Sequence, residues 1–247
     1  MNTHIKPMPA SEDNENDDAV MQALALEIAA QSPGRVPTDL RQRLLSRVRE
    51  SADHSRPMFT VRHGDTPWQI VEPGASVRAL HDNGITRTRM IALQPGAVWQ
   101  QHRPCEVLVM QGQLRMSGVE PALPAESFAL CASAASWAGG GALGALLYVR
   151  ELYGDRSGLP ADEQAWWPAP GAAPLVVPAG EQGWLPFSPG VEIKQLHGSP
   201  ASISVFARFA PGASVAAHGH ELDEDCIMLR GDLYLSDLLL REGEYQL

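Results

Sequence analysis

Apolar residues recur at helical spacing in two stretches near the start of the chain. The two stripes are Val20, Leu24 and Ile28 in the first stretch and Leu40, Leu44, Leu45 and Val48 in the second. Ser32-Pro33-Gly34 ends the first pattern, and Thr38 can cap the second. Residues 19–55 are therefore predicted to form two short amphipathic helices. They follow an acidic lead-in, residues 1–18, that we expect to be disordered.

From about residue 58 the pattern changes to short β-rich runs between Pro-Gly and Gly positions. Examples are residues 89–93, 106–110 and 145–149. Runs of this kind predict an all-β sandwich or barrel. Residues 154–183 are instead rich in Pro, Gly and Ala and contain Trp166 and Trp167. This composition predicts a linker that packs against a barrel through its tryptophans.

The strand-rich region contains an internal repeat. Residues 67–102 align without a gap on residues 183–218 at an offset of 116, and the offset becomes 119 and then 117 further on. The matched residues include Trp68 with Trp184, Pro73-Gly74 with Pro189-Gly190, Pro95-Gly96-Ala97 with Pro211-Gly212-Ala213, and His102 with His218. We therefore predict two tandem domains, at residues 56–153 and 184–247. The second copy ends before the counterpart of the first copy's last strands, so we expect a longer chain or another element to complete it.

Composition limits the class of protein. The 247 residues carry a net charge of -10 with no basic stripe, which argues against direct binding of nucleic acid or an anionic membrane. The N-terminus lacks the layout of a signal peptide, and no apolar run is long enough for a membrane span. Three cysteines without CxxC spacing favour reduced thiols. We expect a cytoplasmic protein.

The second copy contains a complete metal-ligand pattern. From Gly212 to Gly231 the sequence follows G-x5-H-x-H-x3-E-x6-G, with His218, His220 and Glu224 as the polar positions. Residues two apart in a strand point to the same face, so both histidines can project into a barrel, and Glu224 can join them from the next strand. Two imidazoles and a carboxylate suit zinc, iron, manganese or nickel. The alternative is a pair of turn histidines beside solvated acids.

The first copy has lost most of this pattern. His102 is retained, but Pro104 stands where a second histidine would be, and the alignment places Cys105 opposite Glu224. We predict that this copy binds no metal at the site. The alternative is that His102, Cys105 or Glu106 still bind one.

The Gly212–Gly231 pattern resembles the first sequence motif of the cupin superfamily, and residues 68–247 resemble the cupin region of ChrR-type anti-sigma factors. The resemblance implies tandem cupin (double-stranded β-helix or jelly-roll) barrels with a short N-terminal helical segment. It also implies a divalent metal, zinc foremost, and a fourth ligand from a second motif that would begin near Gly243. The implied partner is an ECF-type sigma factor bound through the N-terminal helices. The family's N-terminal zinc site needs a His-x3-Cys-x2-Cys motif, but no cysteine precedes residue 105.

Three functions remain open from the sequence. The first is a regulatory, anti-sigma-factor-related sensor module whose N-terminal helices meet a protein partner or a second copy of the chain. The second is an Fe(II)-dependent cupin dioxygenase acting on a small organic substrate, since two histidines and a carboxylate leave coordination positions open. The third is a structural bicupin without a working site. No catalytic residue is identified.

Overall fold

The structure is a computed structural model that describes residues 59–132, 135–159, 161–199, 202–215, 224–235 and 238–247. The predicted lead-in and two N-terminal helices lie outside these residues, as do His218 and His220. Residues 58–247 form one compact unit. Among the described residues, no helix has the length and apolar character needed to cross a membrane.

The first repeat forms nine strands, and all of them except the first close into a barrel. They are β1 (Thr60–Val61), β2 (Gln69–Glu72), β3 (Ala75–Asp82), β4 (Thr86–Leu93), β5 (Val98–Gln101), β6 (Cys105–Met116), β7 (Val119–Pro124), β8 (Phe128–Cys131) and β9 (Ala135–Leu152). Strand β9 closes the barrel, because its second half pairs with both β4 and β6 while its first half pairs with β5 and with the end of β6.

Glycines allow β6 and β9 to bend sharply enough for this double pairing. Gly112 in β6 and Gly144 in β9 both have positive φ values, 74° and 73°. A Cβ on Gly112 would lie 2.2 Å from the carbonyl oxygen of Gly144, and one on Gly144 would lie 2.0 Å from that of Leu93. Any side chain at these positions would push the strands apart, so the closure of the barrel depends on them.

The interior of the first barrel is apolar and tightly buried. Alternate residues of β4, β6, β8 and β9 face inward, as expected from the period-2 geometry of strands. The buried side chains of this cluster include Ile91, Cys105, Val107, Val109, Leu114, Met116, Cys131, Trp137, Leu147 and Val149. Charged residues on the same face occur at one end only, where Arg87, Arg89 and Glu151 meet.

The second repeat forms a more open set of sheets. Its elements are a 3₁₀ turn (Arg156–Gly158), helix α1 (Ala161–Trp166), β10 (Leu175–Val177), β11 (Trp184–Ser188), β12 (Val191–Gly198), β13 (Ile203–Phe209), β14 (Cys226–Ile227), β15 (Asp232–Leu235), β16 (Leu238–Arg241) and β17 (Tyr245–Gln246). Strands β11, β12 and β13 form one sheet, and β15 and β16 form a hairpin. The segment predicted as a linker thus contains regular structure.

The two repeats exchange their first strands. Strand β1 of the first repeat pairs with β17 of the second, matching Val61 to Tyr245, and β10 of the second repeat pairs with β8 of the first, matching Val177 to Phe128. The residues in these two pairings correspond one to one at the repeat offsets of 116 and 117. Backbone hydrogen bonds of 2.9 Å in both directions between Phe59 and Leu247 extend the first pairing. Each barrel is therefore completed by a strand of the other.

A second apolar cluster lies between the repeats. It combines residues of the first barrel, such as Leu108 and Tyr148, with Phe206 and Tyr245 of the second. Trp166 and Trp167 are also buried in it, with 5% and 2% of their surfaces exposed. Burial of this much apolar surface makes the contact between the barrels part of the folded core.

Candidate metal centre

Of the three predicted ligands, the structure describes Glu224 alone. His218 and His220 belong to residues 216–223, which lie outside the described part of the chain. Glu224 stands two residues before β14, and its side chain is exposed. No cluster of three or more histidine, cysteine, aspartate or glutamate side chains suited to a metal occurs within the described ranges. The triad therefore stays a prediction.

Strand pairing identifies the counterpart of Glu224 in the first repeat. That counterpart faces the interior of the first barrel. The pairing of Cys226 and Ile227 with β17 matches that of Val107 and Leu108 with β8 at the repeat offsets. Counting back two residues makes Cys105 the counterpart of Glu224, as the sequence alignment predicts. Cys105 has none of its surface exposed and belongs to the interior cluster. Glu224 therefore occupies, just before β14, the repeat position that faces the interior in the first barrel.

The residue that follows Glu224 anchors this strand to the first barrel. Asp225 accepts a hydrogen bond from the hydroxyl of Tyr245, and its Oδ2 lies 3.6 Å from Nε of Arg150 in β9. Arg150 also donates from Nη1 to Oε1 of Glu106 at 3.3 Å. At the repeat offset of 119, Glu106 is the counterpart of Asp225. The corresponding carboxylates of the two repeats thus meet on one guanidinium.

Glu106 is held deep between the barrels. Trp166 donates its indole N–H to the same Oε1. Burial raises the pKa of Glu106 above its ordinary value, and the charge of Arg150 and the indole hydrogen bond oppose part of that rise. The Trp166 backbone carbonyl lies 3.1 Å from Nε2 of His197. This buried polar network links the strand after Glu224 to β6, β9 and α1.

A second ionic cluster, centred on Glu151, lies inside one end of the first barrel. Glu151 has 1% of its surface exposed and accepts hydrogen bonds from three side chains. Arg87 donates from Nε to Oε1 at 3.0 Å, Arg89 donates to Oε2 at 2.7 Å, and Gln101 donates to Oε2 at 2.9 Å. Burial alone would raise the pKa of Glu151, but the Gln101 hydrogen bond and the two arginine charges outweigh it and lower the pKa.

The two arginines of this cluster are not repeated in the second copy. At the offset of 116, Ile203 and Val205 take the places of Arg87 and Arg89. Two guanidiniums repel a divalent cation, whereas isoleucine and valine do not. The two guanidiniums therefore disfavour a divalent metal at this end of the first barrel.

The structure does not bring together the alternative ligands of the first repeat. Cys105 faces the barrel interior, whereas Glu106, its neighbour in the strand, faces Trp166 on the opposite side. His102 is exposed on an open groove of about 470 Å³ that Pro104, Ala132 and Leu152 also line. His81 and His197, which the sequence places at matching sites, both follow a β-bulge at the same point of β3 and β12.

Comparison with known proteins identifies similar sequences and folds. Residues 172–247 match the family described as ChrR Cupin-like domain. A crystal structure of a proposed glyoxylate-induced protein from Pseudomonas aeruginosa matches with a TM-score of 0.54 and 13% identity, over 78% of this chain and 79% of that chain. A proposed dioxygenase from Nostoc punctiforme matches with a TM-score of 0.52 and 12% identity, over 77% and 74%. A sequence search against curated proteins gave no match.

A further match is the Rhodobacter sphaeroides complex of SigE with the anti-sigma factor ChrR, at 18% identity over 54% of this chain and 75% of that chain. Its TM-score of 0.34 is too low to inform the fold of this chain. The two longer matches confirm the predicted all-β tandem cupin fold. The family match confirms the resemblance to ChrR-type cupins for the second repeat.

Sequence reasoning did not identify the partners of Asp225 or of Glu151. The sequence did hold one signal for the network around Asp225, because Glu106 and Asp225 are acids at matching repeat positions. The partners themselves are distant in sequence: Arg150 follows Glu106 by 44 residues, and Glu151 follows Arg87 by 64. Only strand pairing brings these side chains into contact.

Proposed function

We propose that this chain, whose second repeat matches the ChrR Cupin-like domain family, is a metal-binding bicupin that acts as a regulatory sensor module. One divalent ion would bind in the second barrel at His218, His220 and Glu224. The observation that carries this proposal is the position of the complete ligand motif. It falls within residues 172–247, whereas the first repeat lacks two of the three ligands and holds two arginines at that end.

The donor set fits a divalent ion. Two neutral imidazoles and one carboxylate are ligands for zinc, iron, manganese and nickel, and zinc is the ion we expect first. A bound ion would supply a Lewis acid with a coordination position open to an incoming ligand. Asp225 would hold the strand beside Glu224 in place through Arg150 and Tyr245, which is the usual role of polar groups around a metal site.

The proposed partner is an ECF-type sigma factor, or another protein, bound through residues 19–55. This part of the proposal rests on the family resemblance and on the apolar stripe that contains Leu40 and Leu44. Double substitution of Leu40 and Leu44 to Asp should reduce capture of a purified sigma factor at least tenfold, while metal content stays unchanged. Equal capture by wild type and the double variant would rule out this surface.

Elemental analysis of the purified full chain tests the metal site. We expect about one divalent ion per wild-type chain and near-background metal in His218→Ala and Glu224→Ala. His102→Ala removes the matching histidine of the first repeat and should keep the wild-type metal content. Equal metal in wild type, His218→Ala and Glu224→Ala would overturn the proposal.

An Fe(II)-dependent dioxygenase is the second candidate function. The observation in its favour is the fold shared with the proposed Nostoc punctiforme dioxygenase over 77% of this chain. It predicts iron in the purified protein and oxygen consumption with a small organic acid or diketone. Tightly held zinc, with no oxygen consumption after reconstitution with Fe(II), would leave the sensor function as the better explanation.

A further inference from the structure

Three sulfur atoms converge inside the first barrel, away from the proposed divalent site. Cys105 begins β6 and lies directly opposite Cys131, the last residue of β8. Both side chains belong to the apolar cluster inside the barrel. Met116, at the far end of β6, reaches across the interior so that its Sδ lies 3.7 Å from Sγ of Cys131. The exposed fractions of these residues are 0%, 1% and 4%, in the order Cys105, Cys131 and Met116.

Two thiols and a thioether are soft ligands. Such ligands select Cu(I) over hard divalent ions, which prefer oxygen and imidazole. In a trigonal site with metal–sulfur bonds of about 2.3 Å, the sulfurs lie about 4 Å from one another, close to the separation of Cys131 and Met116. We propose that Cys105, Cys131 and Met116 form a binding site for a soft monovalent metal ion, Cu(I) in the first instance.

The charges beside the sulfurs suit this ion. Two cysteine thiolates and one Cu(I) carry a net charge of -1. At the same end of the barrel, Arg87, Arg89 and Glu151 carry a net charge of +1, from two guanidiniums and one carboxylate. A buried anion is stabilised by such a neighbour, whereas a divalent cation with neutral ligands would be repelled.

The sulfur cluster belongs to the first repeat alone. In the second repeat Glu224 takes the place of Cys105, and Leu235 takes that of Met116. The repeats would thus hold different classes of metal at related positions. The open groove near His102 borders the cluster, because two of its lining residues, Pro104 and Ala132, are chain neighbours of the two cysteines.

Competition with a Cu(I) chelator tests the site. The full chain, reduced and kept without oxygen, is titrated with Cu(I) against bicinchoninate, and sulfur ligation is checked by X-ray absorption. We expect one tightly bound Cu(I) whose nearest neighbours are sulfur atoms. Met116→Leu, which copies the second repeat and nearly conserves volume, should weaken binding at least tenfold. Cys131→Ser should weaken it at least a hundredfold.

Matched controls separate this site from the divalent one. Met110→Leu changes a buried methionine on the other face of β6, and Cys226→Ser removes the single cysteine of the second repeat, so both should bind Cu(I) like wild type. Prior saturation with zinc should not change the Cu(I) affinity. Circular dichroism verifies that Met116→Leu is folded. Unchanged Cu(I) affinity in folded Met116→Leu, or a nitrogen-only coordination shell, would overturn the proposal.

Discussion

In the first barrel, β9 covers both β4 and β6, whereas in the second barrel the described residues place no strand on the outer edge of β13. The effect is visible in two isoleucines on the inward face of related strands. Ile91 in β4 has none of its surface exposed, and Ile203 in β13 has 60% exposed. The comparison teaches that the same residue type on the same face becomes core only when another strand closes over it.

The two barrels also differ in what they place near the cupin ligand positions. The first combines Glu151 with two arginines and a cluster of sulfur atoms, and the second carries the His218, His220 and Glu224 motif. Opposite charges in the ion cluster of the first barrel neutralise one another without a metal. Metal ligands held close together without an ion have no such stabilisation. The charged side chains of the first barrel thus compensate one another, whereas the second barrel carries the motif of the proposed divalent site.

The largest expected effect tests which barrel carries stability. Ile91→Ala should lower the free energy of unfolding by about 2–5 kcal/mol, because it leaves a cavity in a closed core. Ile203→Ala, at the exposed position of the second barrel, should change it by less than about 0.5 kcal/mol. Urea unfolding of both variants checks the difference. Equal losses would mean that the second barrel is as well packed as the first.

The next effect concerns the ion cluster of the first barrel. Glu151→Gln should cost about 1.5–3 kcal/mol at pH 7, because two guanidiniums lose their charged acceptor. Folding lowers the pKa of Glu151, so its ionised form stabilises the fold above its ordinary pKa of 4.5, and this stabilisation is lost as pH falls below that value.

Unfolding in urea at pH 7 and at pH 4 should therefore show a smaller pH dependence for Glu151→Gln than for wild type. Glu126→Gln serves as the control, since Glu126 pairs with Arg230 at the surface, and it should cost less than about 1 kcal/mol. The same pH dependence in wild type and Glu151→Gln would show that this carboxylate does not control acid stability.

A smaller effect should reveal the exchange of strands between the barrels. Proline at Val61 or Val177 removes one N–H from a β-ladder. The free energy that protects nearby amides from hydrogen exchange should fall by about 1–3 kcal/mol. If the exchange is reciprocal, Val61→Pro speeds hydrogen exchange in β14 and β17 of the second barrel. Val177→Pro then speeds it in β8 of the first barrel. Changes confined to the barrel that carries the proline would contradict the pairing.

The smallest effect links the two barrels through the predicted metal centre. Tyr245→Phe gives the second repeat the residue found at the matching position of the first, Phe128, and removes the hydroxyl that hydrogen-bonds to Asp225. We expect about tenfold weaker zinc affinity, measured by competition with a chelator. Tyr234→Phe, at an exposed position, should leave the affinity unchanged. Wild-type affinity in Tyr245→Phe would show that the hydroxyl does not position the site.

Sequence reasoning reached two tandem all-β domains because the repeat is recorded in matched Pro-Gly turns and strand spacing, and the resemblance of the ligand motif implied the cupin fold. It also placed Cys105 opposite Glu224, and the strand pairing agrees. It could not find the strand exchange, because β1 and β10 are short apolar segments whose partners lie more than forty residues away. The divalent centre remains a sequence prediction, since two of its three ligands lie outside the described residues.

The sequence alone determined the repeat, the alternation of inward and outward side chains, and the presence of a complete ligand motif in only one copy. These are local properties, set by turn residues and by the period of a strand. Tertiary structure decided which inward positions are buried, which carboxylates meet at Arg150, and which sulfurs converge in the first barrel. Those outcomes depend on β9 and on the exchanged strands, and contacts between distant parts of a chain are not encoded in the spacing of its neighbours.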